Sequence, residues 1–185
     1  MNALINNLLL SDSLNEQQIK LVKHLTQEVH LKEGEYFAEP GSTSSQLAFV
    51  ESGVLRYNYY NRRAENITSG LIGEGNFIAG AGPFYLPVIP SDYLQAITAC
   101  TLSVITKSGM DELSSTVSTW DSILRKISQK ATAEKRSRII RTSGNSDPEV
   151  TAAQYLAGFP DIGKHINVDQ MLRYIDARVK GQKVK

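Results

Sequence analysis

The side chains most often used for covalent or metal chemistry are sparse in this sequence, and their spacing argues against such chemistry. His24 and His30 flank the end of an expected helix and His165 sits near the start of another. None forms a metal-spaced pair with a second His or Cys, so surface or capping roles are expected. The single cysteine, Cys100, excludes an intrachain disulfide, a cysteine-ligated zinc site and an iron–sulfur cluster. It lies in an apolar, strand-like stretch, which suits a buried structural thiol. No Gly-x-Ser-x-Gly elbow is present. Gly73-Glu74-Gly75 and Gly80-Ala81-Gly82 precede strands or loops rather than a helix, so neither is a phosphate-cradling turn. The His/Glu ligand cluster of a cupin is absent. The expectation is a protein with no catalytic residue, no metal and no cofactor, and not an enzyme.

Charge points elsewhere. The net charge of +1 conceals an asymmetry: residues 1–117 carry 7 Lys+Arg against 12 Asp+Glu, and residues 118–185 carry 13 against 7. The basic part is the one suited to face nucleic acid. Hydrophobic residues make up 41% of the 185 and charged residues 21%, as in ordinary globular chains. Leu8-Leu9-Leu10 is cut off by Ser11 and Asp12, far short of a membrane span. No basic stretch precedes an apolar one at the N-terminus, so no secretory signal is expected, and the expected location is cytoplasmic.

The elements that would position a site read as follows. Ser13-Leu14-Asn15-Glu16 has capping-box spacing, and Ile19, Val22 and Leu25 then predict an amphipathic helix over about 14–27. From Glu28 to Lys107, short runs rich in Val, Ile, Tyr, Phe and Thr are broken about every 8 to 12 residues by Gly, Pro, Asn or Ser. That texture predicts an all-β sandwich or barrel. Gln46–Glu51 and Gly53–Tyr60 alternate around a turn at Ser52-Gly53, residues 61–66 make a polar hairpin tip, and Tyr93–Ala99 with Thr101–Thr106 are expected as the last strand pair. Ser118-Thr119-Trp120-Asp121 reads as a second capping box. Behind it Trp120, Ile123, Leu124, Ile127 and Ala131 form an apolar seam at helical spacing. Such a seam needs a partner, either the chain's own barrel or the same helix of a second subunit. Residues 142–148 read as a linker, followed by a helix capped at Ser146-Asp147-Pro148-Glu149 and a further one capped by Asn167 with Gln170.

Several of these stretches resemble the Crp/Fnr (cyclic-AMP-receptor-like) transcriptional regulators. Leu31-Lys32-Glu33-Gly34-Glu35 with Gly41 downstream is similar to that family's entry motif. Ala48-Phe49-Val50-Glu51-Ser52-Gly53-Val54-Leu55-Arg56 matches its strand, glycine turn and strand, Gly75-Asn76-Phe77-Ile78 its phosphate cassette opening, and Thr98-Ala99-Cys100 the strand beyond. The resemblance implies a mainly β fold with helices: a cyclic-nucleotide-binding-like β-roll, or jelly roll, over residues 1–117 with its N-terminal helix. A dimerisation helix over 118–141 and a partial, helix-turn-helix-like helical region over 142–185 would follow. It favours a second subunit as the seam's partner.

The cassette is where the chain departs from the family. The position of the family's ribose-binding Glu falls on Gly80, and that of its phosphate-binding Arg on Pro90, with only the neighbouring Ser91 retained. No Lys or Arg occurs from Ala64 to Thr106. Losing one partner of a buried ion pair costs about 3 to 5 kcal/mol, on the order of a hundred- to several-thousand-fold in affinity. The sensor is therefore expected not to bind cyclic AMP or cyclic GMP. Phe77, Ile78, Ala79, Gly80, Ala81, Gly82, Phe84, Pro90, Ser91 and Tyr93 remain as candidates to line a pocket for a small uncharged ligand. The alternative, and the more usual one for small barrels, is a roll plugged by its own side chains.

Tyr155-Leu156, Phe159-Pro160-Asp161-Ile162 and Leu172-Arg173-Tyr174-Ile175 resemble the approach to a helix-turn-helix, but Asp176–Gly181 lacks the segment with which the family reads bases. Lys135, Arg136, Arg138, Arg141, Arg173, Arg178 and Lys180 are candidates for phosphate contacts, which position a protein without reading sequence. A solvated helix face explains the basic run equally well. The expected partners are a second copy of the chain, DNA held weakly or non-specifically, and a small uncharged ligand, with no membrane. The functional expectation is a transcriptional regulator that has diverged in ligand choice; the alternative is a dimeric ligand- or protein-binding module that has lost sequence-specific DNA binding.

Overall fold

A computed structural model of the chain describes residues 2–40, 46–78, 92–140 and 147–179. These fold as four layers: helices, a sheet, a second sheet, and more helices. Strands β1 (Thr26–Leu31), β2 (Tyr36–Ala38), β3 (Leu47–Ser52), β4 (Leu55–Tyr60), β5 (Asn66–Ile72), β6 (Tyr93–Ala96) and β7 (Cys100–Ile105) form two antiparallel sheets, ordered β1-β7-β3 and β2-β6-β4-β5. Consecutive strands change sheet at the turn holding Gly53, whose φ of 91° suits glycine alone. For the same reason β6 and β7, expected as a pair, lie in different sheets: β6 joins β2 and β4, while β7 joins β1 and β3. Period-two alternation sends Ala48, Val50, Leu55, Tyr57, Ile72, Leu94, Ala96, Leu102 and Val104 between the sheets, where they fill the roll's interior.

On the outer face of the first sheet lie α1 (Asn2–Leu9), α2 (Glu16–Leu25), α3 (Lys107–Thr116) and α4 (Trp120–Ser137). The box that opens α2 starts at Asn15 rather than at Ser13: Asn15 accepts from the Gln18 backbone N–H at 2.9 Å, and Gln18 accepts from that of Asn15 at 2.9 Å. At α4 the N-cap Thr119 makes no side-chain capping bond. Helix α3, which the sequence pattern did not signal, is capped by Thr106.

The outer face of the second sheet carries the C-terminal layer, α5 (Pro148–Gly158), α6 (Pro160–Gly163) and α7 (Val168–Val179). Asp147 caps α5 as expected, and the Asn167–Gln170 pair closes a reciprocal box at the start of α7. One apolar cluster joins Val54, Leu71 and Ile97 to Ala152, Ile162, Ile166, Met171 and Ile175, so these helices share a core with the roll. No helix among the described residues is long and apolar enough to cross a membrane.

Candidate functional site

The cassette begins on β3. The backbone of Gly75 donates to Val50 at 2.8 Å, Val50 donates to Asn76 at 2.9 Å, and Ile78 donates to Ala48 at 2.9 Å, which lays residues 75–78 antiparallel beside the strand. Alternation then splits the pocket candidates. Ile78 points into the roll, whereas Phe77 points the other way and packs edge-to-face on Phe49, with 4.9 Å between centroids, under the first helical layer. At the far end Leu94 enters the interior, and Tyr93 lies on the outer face against Tyr36 and Tyr60. Among the described pocket candidates, Ile78 alone faces inward. Ala79, Gly80, Ala81, Gly82, Phe84, Pro90 and Ser91 lie outside the described residues. Cys100 is buried in the interior, its Sγ 3.4 Å from the Val54 carbonyl, and burial pushes its thiol above the usual range.

A cation does reach this end of the roll, although the sequence between Ala64 and Thr106 supplies none. Lys135, arriving from the last turns of α4, places Nζ 4.3 Å from the centre of the Tyr57 ring and 2.9 Å from Asp92 Oδ2. The expectation of a lining without positive charge is corrected accordingly, because a helix distant in sequence packs across the roll. The charge is nonetheless matched by a carboxylate, so an incoming anion would have to displace Asp92 or lie beside it.

The apolar seam of α4 is satisfied within one chain. Trp120, Ile123, Leu124, Ile127 and Ala131 are 0, 0, 2, 1 and 2% exposed, packed in one cluster with Leu4, Leu8, Val22, Leu47, Phe49 and Leu113. Side chains with no accessible surface have nothing left to bury against a second copy. Of the seam's two expected partners, the structure therefore shows the chain's own body for these five residues.

The expected phosphate contacts are likewise redistributed. Arg138 is buried, 8% exposed, and its Nη1 lies 2.8 Å from Asp161 Oδ2. This corrects its assignment, since a guanidinium enclosed and paired inside the chain cannot reach a phosphate. Lys135 is half-buried and paired with Asp92. Arg136 and Arg173 are exposed, Arg178 belongs to the last turn of α7, and Arg141 and Lys180 lie outside the described residues.

Around Arg138 the structure assembles a clamp that sequence reasoning missed. Asn76 Nδ2 donates to Asp161 Oδ2 at 2.9 Å and to the Gly73 and Glu74 carbonyls, and Arg138 lies 4.8 Å from the Phe159 ring centre. The Tyr155 hydroxyl donates to the Arg138 carbonyl at 2.8 Å and accepts from the Leu71 N–H at 3.3 Å, and burial pushes its pKa up to about 12. Glu74 meets Lys164 and His165. Burial, with the Lys164 ammonium beside it, holds His165 below the ordinary imidazole value, and its Nε2 lies 2.9 Å from Glu74 Oε2. Two glycines make the approach this close. A Cβ on Gly70 would sit 2.7 Å from the Arg138 carbonyl oxygen, and one on Gly73 would sit 2.6 Å from that of Asp161. The legible signals were Gly70 inside a strand run, Gly73 at its end and the polar Asn76 before Phe77-Ile78.

Two antiparallel sheets closed into a roll, a glycine turn between them and a helix laid across the mouth define the cyclic-nucleotide-binding fold. Solved structures with this fold are similar to the chain over about two thirds of its length or more. The N-terminal domain of a transcriptional regulator from Streptomyces coelicolor A3(2) is 14% identical, covering 72% of this chain and 93% of that one at a TM-score of 0.55. A cyclic nucleotide-binding domain from Methylobacillus flagellatus KT is 12% identical, covering 68% and 72% at 0.58. The catabolite activator protein of Thermus thermophilus is 17% identical, covering 68% of this chain and 58% of that one at 0.55. No family model and no curated protein matches the sequence. At these identities the likeness establishes the fold, which is the one the sequence motifs implied.

Proposed function

We propose that the chain is a Crp/Fnr-like transcriptional regulator whose sensor roll does not take a cyclic nucleotide. The observation that carries this is the lining: Leu55, Ile72, Ile78, Leu94 and Leu102 fill the interior, and the cation at the mouth, Lys135, is already held by Asp92 at 2.9 Å. A cyclic phosphate entering here would be desolvated beside a carboxylate with no free partner among the described residues. Isothermal calorimetry with cyclic AMP and cyclic GMP is expected to show no binding at micromolar concentration; a dissociation constant in the low micromolar range would refute the reading.

A second reading, a binding module without sequence-specific DNA recognition, is favoured by one observation. Helices α5–α7 share a core with the roll, and Arg138 is enclosed by that docking. A gel-shift assay across a salt titration separates the two: a specificity ratio of about a thousand or more supports the regulator, and sequence-independent binding that collapses with salt supports the module.

A further inference from the structure

The outer face of the second sheet holds a guanidinium whose contacts are all neutral. Arg56 points outward from β4 because Leu55 and Tyr57, on either side of it, point in. Its Nε donates to Gln95 Oε1 at 2.8 Å and its Nη1 to Thr68 Oγ1 at 3.0 Å, and the Gln95 amide is itself fixed by the Gly34 carbonyl at 2.8 Å. From the C-terminal layer, the centre of the Tyr174 ring lies 5.1 Å from the guanidinium carbon. Burial holds Arg56 below the ordinary guanidinium value, and the groups acting on its charge are Tyr36, Tyr174 and Tyr60 rather than a carboxylate.

Among the described residues no acid pairs with it. Glu33 acts on Tyr174, as does Arg173, and neither acts on Arg56. Asp92 is paired with Lys135, Glu65 is bonded by Asn61, and Glu35 accepts from the Lys32 backbone. Residues 41–45, 79–91, 141–146 and 180–185 contain no Asp or Glu, so none of them supplies the missing side chain. Asp176 follows Tyr174 by two residues, a spacing that takes it off the side of α7 that meets Arg56. Gln95 and Thr68 use two of the five N–H donors and the Tyr36 hydroxyl alongside takes at most one more, so donors remain without a described acceptor. Beside this cation stand three rings on adjacent strands. Tyr36 on β2, Tyr93 on β6 and Tyr60 on β4 follow one another edge to face, with centroids 5.6 and 5.5 Å apart, and Tyr60 is 52% exposed.

We propose that Arg56 and these rings bind a small aromatic carboxylate, its oxygens across Nη1 and Nη2 and its ring against Tyr93 and Tyr60. A planar guanidinium with adjacent free donors matches a carboxylate in both geometry and charge. One guanidinium neutralises one negative charge and Glu33 repels a second, which favours a monoanion over a phosphate dianion or a polyanion. The edge-to-face series of tyrosines accepts a further ring in the same manner. The site lies outside the roll's interior, so the inference goes beyond the regulator reading and holds whether or not the roll takes a nucleotide.

Titration of the nitrogen-15-labelled full chain with benzoate tests it, followed through the Arg56 Nε–H resonance, which Arg56→Lys identifies by its disappearance. Benzoate is expected to shift that resonance and those of Gln95 and Thr68. Benzamide, which has the same shape without the charge, is expected to leave them in place. Arg56→Lys keeps the charge but loses the fork, and should weaken benzoate binding roughly 10- to 150-fold. Tyr60→Ala, at a solvent-facing position, should weaken it about 2- to 12-fold, and Tyr60→Phe should preserve it. An unchanged circular dichroism melt verifies that each variant folds, and the comparison of benzoate with benzamide needs no variant. Equal shifts with benzamide, equal affinity for acetate and benzoate, a folded Arg56→Lys variant that binds as the parent does, or shifts confined to the interior at Leu55, Ile78 and Leu94 would each overturn the proposal.

Discussion

Removing one partner of the Arg138–Asp161 pair should cost unequal amounts depending on which is removed. The Arg138 side chain is 9% exposed and that of Asp161 21%, with 2.8 Å between them. Asp161→Ala strands a guanidinium that solvent barely reaches, while also taking an acceptor from Asn76. The cost should approach the about 3 to 5 kcal/mol of a broken buried pair. Arg138→Met strands a carboxylate that retains some access to water and keeps its hydrogen bond from Asn76, so about 1 to 3 kcal/mol is expected. A chain of this size loses roughly 2 to 4 °C of Tm per kcal/mol. Asp161→Ala should therefore melt on the order of 6 to 20 °C lower, and the double variant should recover part of that, since two neutral residues leave no stranded charge. Urea unfolding followed by two probes gives the location as well as the size. Trp120, the one tryptophan, reports the layer of α1–α4, and far-ultraviolet circular dichroism reports all helices. Loss of ellipticity before the tryptophan signal moves would place the first failure at α5–α7. Equal costs for the two single variants, or a double variant whose loss is their sum, would refute the reasoning.

Two further outcomes follow from the packing. Tyr155 has its pKa raised by burial to about 12, so the folded state holds a proton that the unfolded chain releases near 10. Its stabilisation is complete below about pH 10 and declines as pH rises toward 12, by on the order of 2 to 3 kcal/mol, and Tyr155→Phe should abolish that alkaline decline in urea midpoints. Ile127→Ala, at a position 1% exposed in the α4 seam, should lower stability by about 2 to 4 kcal/mol with a Tm independent of protein concentration. A Tm that rises with concentration in the parent and no longer does so in the variant would instead put the seam at a subunit boundary.

The parts of the fold that were legible in the sequence were those fixed by local periodicity. Leu55-Tyr57 alternating against Arg56-Asn58 gave the strand and its faces, and Asp147-Pro148 gave the start of α5. What periodicity cannot give is partner choice. The α4 seam reads the same whether it meets a roll or a twin, and the decision came from α1 and α2, whose Leu4, Leu8 and Val22 occupy that surface. Lys135 and Arg138 read as members of a solvated basic run because Asp92 and Asp161, 43 and 23 residues away, enter their surroundings only through tertiary packing. At the start of α2, Ser13 and Asn15 both fit the capping motif, and the Gln18 side chain settles it on Asn15. The pocket candidates suffered from adjacency: Phe77 and Ile78 are neighbours, and neighbours in an extended chain face opposite layers.

Where Gly70 meets the end of α4 at Arg138 and Gly73 meets α6 at Asp161, main chain lies against main chain, and the tolerance to change is lopsided. The carbonyls on the helical side are there whatever side chains those residues carry, while any branch at either glycine wedges the joint apart. A roll of this fold whose C-terminal helices did not dock here would carry no such restriction at the two positions. The pair thus offers a marker, readable from sequence alone, for telling a parked C-terminus from a released one.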